Sequence, residues 1–108
     1  MPKSNFVKIV VYVPELYADK VREAMGEAGA GKSGKYSFCS FTVKGTGQFL
    51  PGKGAHPFIG KIGQIEAVAE ERIEARCEQS KLKKVIVAIK KVHPYEEVVI
   101  DVHKLENI

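Results

Sequence analysis

The sequence predicts an α+β domain in which one antiparallel sheet carries two helices on a single face. Two observations predict it, and a rule of chirality completes them. Four segments have strand character, and two have apolar residues at helical spacing. They alternate as strand, helix, strand, strand, helix, strand. Right-handed crossovers then place both helices on the same side of the sheet.

Residues 6–13 (FVKIVVYV) form an almost continuous valine-rich run, which suits a central strand. Pro14 opens a helix, where its missing N–H costs nothing. Across 15–28, Tyr17, Val21, Ala24, Met25 and Ala28 make an apolar stripe, with the charged residues mostly outside it. Gly29, Gly31 and Gly34 form the exit. Residues 36–43 (YSFCSFTV) are aromatic and β-branched and predict the second strand. Gly45-Thr46-Gly47 and Pro51-Gly52-Lys53-Gly54 predict turns around a short extended piece at 48–50, and 55–63 an ordered loop.

From 66 to 77 the pattern has period two, with Arg72, Glu74 and Arg76 on one face and Ile73, Ala75 and Cys77 on the other. Residues 81–92 (KLKKVIVAIKKV) are β-branched enough for a strand. Leu82, Val85, Ile86, Ile89 and Val92 nevertheless keep helical spacing, and all five lysines fall outside their arc, which predicts a helix. Ser80 is the expected N-cap, and Pro94 stops the helix at His93. Residues 98–105 alternate again as the last strand. The order is that of the ferredoxin-like βαββαβ sandwich, with the first and third strands central. Its second face carries Val10, Tyr12, Arg72, Glu74, Val99, Asp101 and His103. That mixture of apolar and charged residues favours burial against another subunit.

With 108 residues the chain has room for one domain, 1–108, which buries roughly two-thirds of its unfolded surface. No linker, repeat or low-complexity block interrupts it. No apolar run approaches the ~20 residues of a membrane span, and the first residues show no signal-peptide pattern, so the expected address is the cytoplasm. There Cys39 and Cys77 are expected as small core residues with free thiols. The net charge of +4 is a mild excess, with no basic run and no aromatic-basic platform, and nucleic acid is not an expected partner.

Gly26-Glu27-Ala28-Gly29-Ala30-Gly31-Lys32-Ser33 matches the phosphate-loop pattern GxxxxGK[ST]. That pattern works where glycines join a strand to the N-terminus of a helix. Here they follow a helix, at its electronegative end, and the expected role is a C-cap and a turn.

Several uncommon strings stand in a fixed order: AGAG at 28–31, YSFCSF at 36–41, GTGQF at 45–49, GAHPFIG at 54–60 and HPYEE at 93–97. Together they resemble the inserted middle domain of the Nif-three-like dinuclear-metal-centre proteins (the YqfO group), over about residues 5–105. The resemblance implies a fold similar to PII and CutA proteins, which typically form trimers through their sheets. It also implies that the family's dinuclear metal site lies in flanking domains outside the matching residues. Phe38 departs from the pattern, standing where relatives often have a histidine before the cysteine-serine pair.

Two segments are candidate sites. His93-Pro94-Tyr95-Glu96-Glu97 brings an imidazole, a phenol and two carboxylates together, a set able to orient a ligand or hold a divalent cation. The alternative is a helix stop, with an imidazolium favoured at the helix end and Tyr95 packed on the core. Gly45-Thr46-Gly47 with Lys53, Gly54 and His56 offers backbone N–H groups and positive charge to an anion or ligand, or else a rigid turn whose Phe58 and Ile59 plug the core. In PII-like proteins the corresponding region meets effectors and partners. Asp101 and His103 share a strand face that could meet Arg72 or Glu74 across the sheet, as a metal site or, in preference, as salt bridges between subunits. No nucleophile motif supports a hydrolase.

The expected function is therefore a homo-oligomeric, trimeric PII/CutA-like binding or regulatory module rather than an enzyme. Its small-molecule ligand or protein partner is met at the glycine loops and the 93–97 segment. The alternative is a divalent metal-binding protein using His56, His93 and Glu96, the one cofactor the sequence suggests.

Overall fold

The computed structural model describes residues 5–107. Strand β1 (Phe6–Pro14) leads through a 3₁₀ turn (Glu15–Tyr17) into helix α1 (Ala18–Ala28). Strands β2 (Phe41–Phe49) and β3 (Glu66–Glu78) follow, then a second 3₁₀ turn (Gln79–Lys81), helix α2 (Leu82–Val92) and strand β4 (Ile100–Lys104). The sheet order is β2-β3-β1-β4, with every neighbouring pair antiparallel. The expected ferredoxin-like arrangement is present, with β1 and β3 central.

The alternation of β1 decides where the core lies. Val7, Ile9, Val11 and Val13 point to the helices and are at most 2 % exposed. They pack with Ile73 and Cys77 of β3, Val21 and Met25 of α1, and Val85 and Ile89 of α2. One polar tie crosses this layer. Glu71, on the helix-facing side of β3, accepts a 2.6 Å charged hydrogen bond from Arg22 of α1, which also donates to Thr42 of β2 at 3.2 Å.

On the other face the register sets Val10 between Glu74 and Asp101, Tyr12 opposite Arg72, and Lys8 between Arg76 and His103. The open face holds the expected residues, but its ion pairs differ from expectation. Glu74 is taken by Lys8 at 2.8 Å and Arg72 at 3.0 Å, which hold its carboxyl below the usual range. Because β1 separates β4 from β3, Asp101 and His103 do not meet Arg72 or Glu74 across a shared edge.

Strand β2 starts later than the sequence predicts. Residues 36–40 form a loop because Phe38 adopts a left-handed backbone (φ 58°) and the Cys39 amide is bonded to the Gly31 carbonyl at 2.9 Å. Gly45-Thr46-Gly47 is not a turn but mid-strand, paired with Glu70, Ala69 and Val68. The 13-residue β3 supplies ladder partners that override the local turn signal. Cys39 is correspondingly exposed, whereas Cys77 is buried and its thiol pushed up by that burial. Ser80 falls inside a 3₁₀ turn and caps nothing, the α2 N-cap position being Lys81. Strand β4 is shorter than 98–105. Among the described residues no helix is long and apolar enough to cross a membrane.

The phosphate-loop look-alike is a helix exit. Helix α1 is capped by Gly29, and the Ala30 amide bonds back to the Met25 carbonyl at 2.9 Å.

Candidate functional site

Helix α2 stops where a proline must stop it: His93 is extended (φ −76°, ψ 132°), as the residue before Pro94 prefers. The chain then turns back across the end of β1, and His93 holds it there. Its Nε2–H donates to the Tyr12 carbonyl at 2.7 Å, and its Nδ1 accepts the Tyr95 N–H at 3.2 Å. Since a carbonyl only accepts and an amide only donates, these partners fix the neutral Nε2–H tautomer. The ring is 7 % exposed, and burial pushes its pKa down against the opposing pull of the Tyr12 carbonyl and Glu70. The imidazolium expected at this helix end is thus a neutral imidazole with both nitrogens engaged.

Tyr95 comes next. Its ring stands 5.1 Å from His93 and edge-on to Phe49 at 5.8 Å. The hydroxyl donates to Glu70 Oε2 at 2.7 Å. Burial first, and then the Glu70 carboxylate, push the phenol far above its ordinary pKa, so it stays a donor. Glu70 in turn lies over Gly47, where a Cβ would collide with the carboxylate. A glycine in mid-strand thus leaves room for the Glu70 carboxylate in the position where Tyr95 holds it.

Glu96 joins the two candidate segments. Its Oε1 accepts the backbone N–H of His56 at 2.8 Å, across 40 residues of sequence. Phe58 anchors the 50–59 loop from its other side, edge-on to Tyr17 at 5.6 Å. At 50 % exposure it leans on Tyr17 rather than plugging the core.

Between the loop and the 93–97 segment opens a pocket of about 360 Å³. Tyr12, Phe49, Leu50, Pro57 and Val99 are among its apolar walls, and Glu70, Glu96 and Glu97 line it with carboxylates. Of the residues singled out in the sequence, Gly47, Tyr95, Glu96 and Glu97 line this pocket. Gly45 and Thr46 are exposed in β2 outside it, and Lys53 and Gly54 sit at an exposed loop tip. His56 contributes its backbone, and His93 stands behind Tyr95. His56, His93 and Glu96 do not converge as a ligand set. Among the described residues no group of three His, Cys, Asp or Glu side chains is placed to hold a metal ion.

Sequence reasoning did not single out Phe49 or Glu70. The period-two pattern of β3 carried the signal for Glu70, which shares the open face with Arg72 and Glu74.

No family model matches the chain. Individual relatives do. It is 50 % identical over 103 residues to the GTP cyclohydrolase 1 type 2 homolog of Halalkalibacterium halodurans, covering 95 % of this chain and 28 % of that protein. The Bacillus subtilis protein of the same name is 50 % identical over 100 residues, with 93 % and 27 % covered. The structure of a Bacillus cereus protein related to NIF3 superposes with a TM-score of 0.85 at 45 % identity, over 99 % of this chain and 27 % of that one. Archaeoglobus fulgidus CutA shares the fold at a TM-score of 0.69 and 19 % identity, over 94 % of this chain and 85 % of CutA. A Bacillus subtilis GlnK–ATP complex does so at 0.62 and 13 %, with 93 % and 81 % covered. With the motifs, the register and these likenesses in agreement, the chain has the CutA/PII-like fold and is similar over nearly its whole length to one segment of the NIF3-related proteins, spanning just over a quarter of the length of the curated relatives it matches.

Proposed function

We propose that this chain is a homo-oligomeric, trimeric binding or regulatory module of the cytoplasm, and that the pocket beside the 93–97 segment meets its ligand or protein partner. One observation carries the reading. Two segments 40 residues apart are tied by the His56–Glu96 hydrogen bond and enclose a single pocket, instead of serving separate turns. A polar network that fixes its own side chains in advance is the arrangement that binds with the least ordering cost.

Assembly is supported by the uncovered sheet face. Phe41 (66 % exposed), Val43 and Val99 are apolar side chains standing open on it, beside the Lys8–Glu74–Arg72 ion pairs. Such a patch is buried by a second copy more readily than it is solvated.

Two measurements test this reading. Sedimentation equilibrium at micromolar concentration should give a trimer mass, and a monomer would overturn the assembly. A melting panel on metal-stripped protein, with nucleotides, divalent cations and common metabolites, should show stabilisation by a ligand. A hundredfold excess over its Kd gives roughly 3 kcal/mol. Silence across the panel would leave only a protein partner for the pocket.

A further inference from the structure

We propose that the pocket binds an organic cation, a guanidinium or primary ammonium group carried on an apolar stem. This rests on the binding-module reading above and gives its ligand a chemistry.

The charge inside the cavity runs against the charge of the chain. The protein carries a net +4, yet this pocket is lined by Glu70, Glu96 and Glu97 and by no lysine, arginine or histidine. The anion-binding role expected for Lys53 and His56 has no counterpart there, since neither lines the pocket. Two of the carboxylates are fixed before any ligand arrives. Glu70 is held by the Tyr95 hydroxyl and Glu96 by the His56 amide, each through one oxygen, leaving the other to accept. Among the described residues Glu97 makes no ion pair or hydrogen bond and is the least committed of the three.

The lack of a metal-holding group among these carboxylates selects the kind of cation. A calcium ion needs six to eight oxygens gathered at about 2.3–2.6 Å. Here the acidic groups line one cavity but do not converge on a point, and no metal-holding group exists among the described residues. Carboxylates spread along a cavity match a planar guanidinium fork or an ammonium on a stem. Tyr12, Phe49 and Tyr95 give the lining aromatic character suited to a cation, and Leu50, Pro57 and Val99 offer apolar contact to the stem. A free amine or guanidine and an arginine side chain on a partner share this chemistry.

The test is a backbone-amide NMR titration of the ¹⁵N-labelled full chain at low salt. The probes are agmatine, the blocked tripeptide acetyl-Gly-Arg-Gly-amide, ATP and magnesium chloride. Agmatine or the tripeptide should shift the amides of Gly47, Phe49, Tyr95 and Glu97 saturably. Tighter binding of agmatine identifies a free cation, and tighter binding of the tripeptide a side chain. Glu97→Gln should weaken the preferred probe by roughly three- to tenfold, with an otherwise unchanged spectrum. Glu70→Gln, which keeps an acceptor for Tyr95, should weaken it likewise. Pocket amides moved only by ATP or magnesium would overturn the cation assignment and leave the binding reading intact. Pocket amides unmoved by all four would overturn the cation assignment, and with the melting panel also silent, small-molecule binding as well.

Discussion

The two helices leave their last turns by opposite means. Helix α1 exits through main-chain bonds alone: Ala30 to Met25 at 2.9 Å, Gly31 to the Arg76 carbonyl at 2.7 Å, Cys39 to Gly31 at 2.9 Å. The side chains here add packing rather than polar ties to the helix, with the Phe38 ring set over Gly26, and Lys32 and Ser33 are left exposed. Helix α2 exits through side chains, with His93 clamping Tyr12 and Tyr95, Tyr95 held by Glu70, and Glu96 gripping the 50–59 loop. Both stretches carry a motif that suggests a ligand. Only the second spends its polar side chains on fixing a wall, and a wall of fixed polar groups is what a pocket needs. The comparison teaches that a motif's residues build a wall where the fold engages their side chains, and only a turn where it engages the backbone.

The largest effect should come from breaking the backbone exit. Gly31 has φ 80°, and a Cβ there would run into the Cys39 backbone. Gly31→Ala combines left-handed strain with a clash that no side-chain rotation relieves. It should cost about 3 kcal/mol or more in urea unfolding. A loss below about 1 kcal/mol would show that the loop yields and is not pinned.

Breaking the side-chain exit should cost somewhat less. His93→Ala removes two hydrogen bonds and leaves the Tyr12 carbonyl and the Tyr95 amide without their partner, about 2–3 kcal/mol. The same ring gives a pH signature. Its folded pKa is depressed below an unfolded value of about 6.5, so just below that pH the unfolded state binds more protons. The stability from neutral His93 is complete above about pH 6.5 and is lost as pH falls towards the folded pKa. The melting temperature of the wild type should drop on acidification through this window, and His93→Gln should flatten that drop. Parallel curves would place the titrating group elsewhere. The α1 exit carries no comparable group.

Much of this architecture was legible in the sequence, and the failures have a common physical form. The period-3.6 arc of Leu82, Val85, Ile86, Ile89 and Val92 survived its β-branched composition because all the lysines lay off it, and α2 is the helix it predicted. The open face followed from alternation alone. What was not legible was tertiary override. Gly45 and Gly47 read as turns because local propensity cannot see β3 offering a partner to each. Tyr36 to Ser40 read as strand because nothing local announces that Phe38 will turn left-handed. Within the site, the 93–97 and 54–60 segments were visible as candidates, but their joining through His56 and Glu96 was not, since it spans 40 residues.

Inside the side-chain exit, Tyr95→Phe separates the ring from the hydroxyl. The ring keeps its contacts with Phe49 and His93 while Glu70 loses a donor, so about 1 kcal/mol should be lost. A much larger loss in thermal or urea melts would mean that the hydroxyl, and not the His93 clamp, holds the 93–97 segment.

The smallest effect should come from the residue that most resembles a phosphate ligand. In the pattern GxxxxGK[ST] the lysine is the cation that meets phosphate, and Lys32 occupies its place. It follows the carbonyl end of α1, its side chain is exposed, and it lines a shallow cavity with Lys8, Glu74 and Arg76. Helix carbonyls repel phosphate, and in that cavity Glu74 already takes the charge of Lys8. Lys32→Ala should therefore stay within about 0.5 kcal/mol of the wild type in unfolding. It should also leave any ATP-induced change in melting temperature unaltered. If removing this one lysine abolished an ATP shift, the backbone-only exit would have a chemical role after all. The contrast between the two helix ends would then fail at its weaker side.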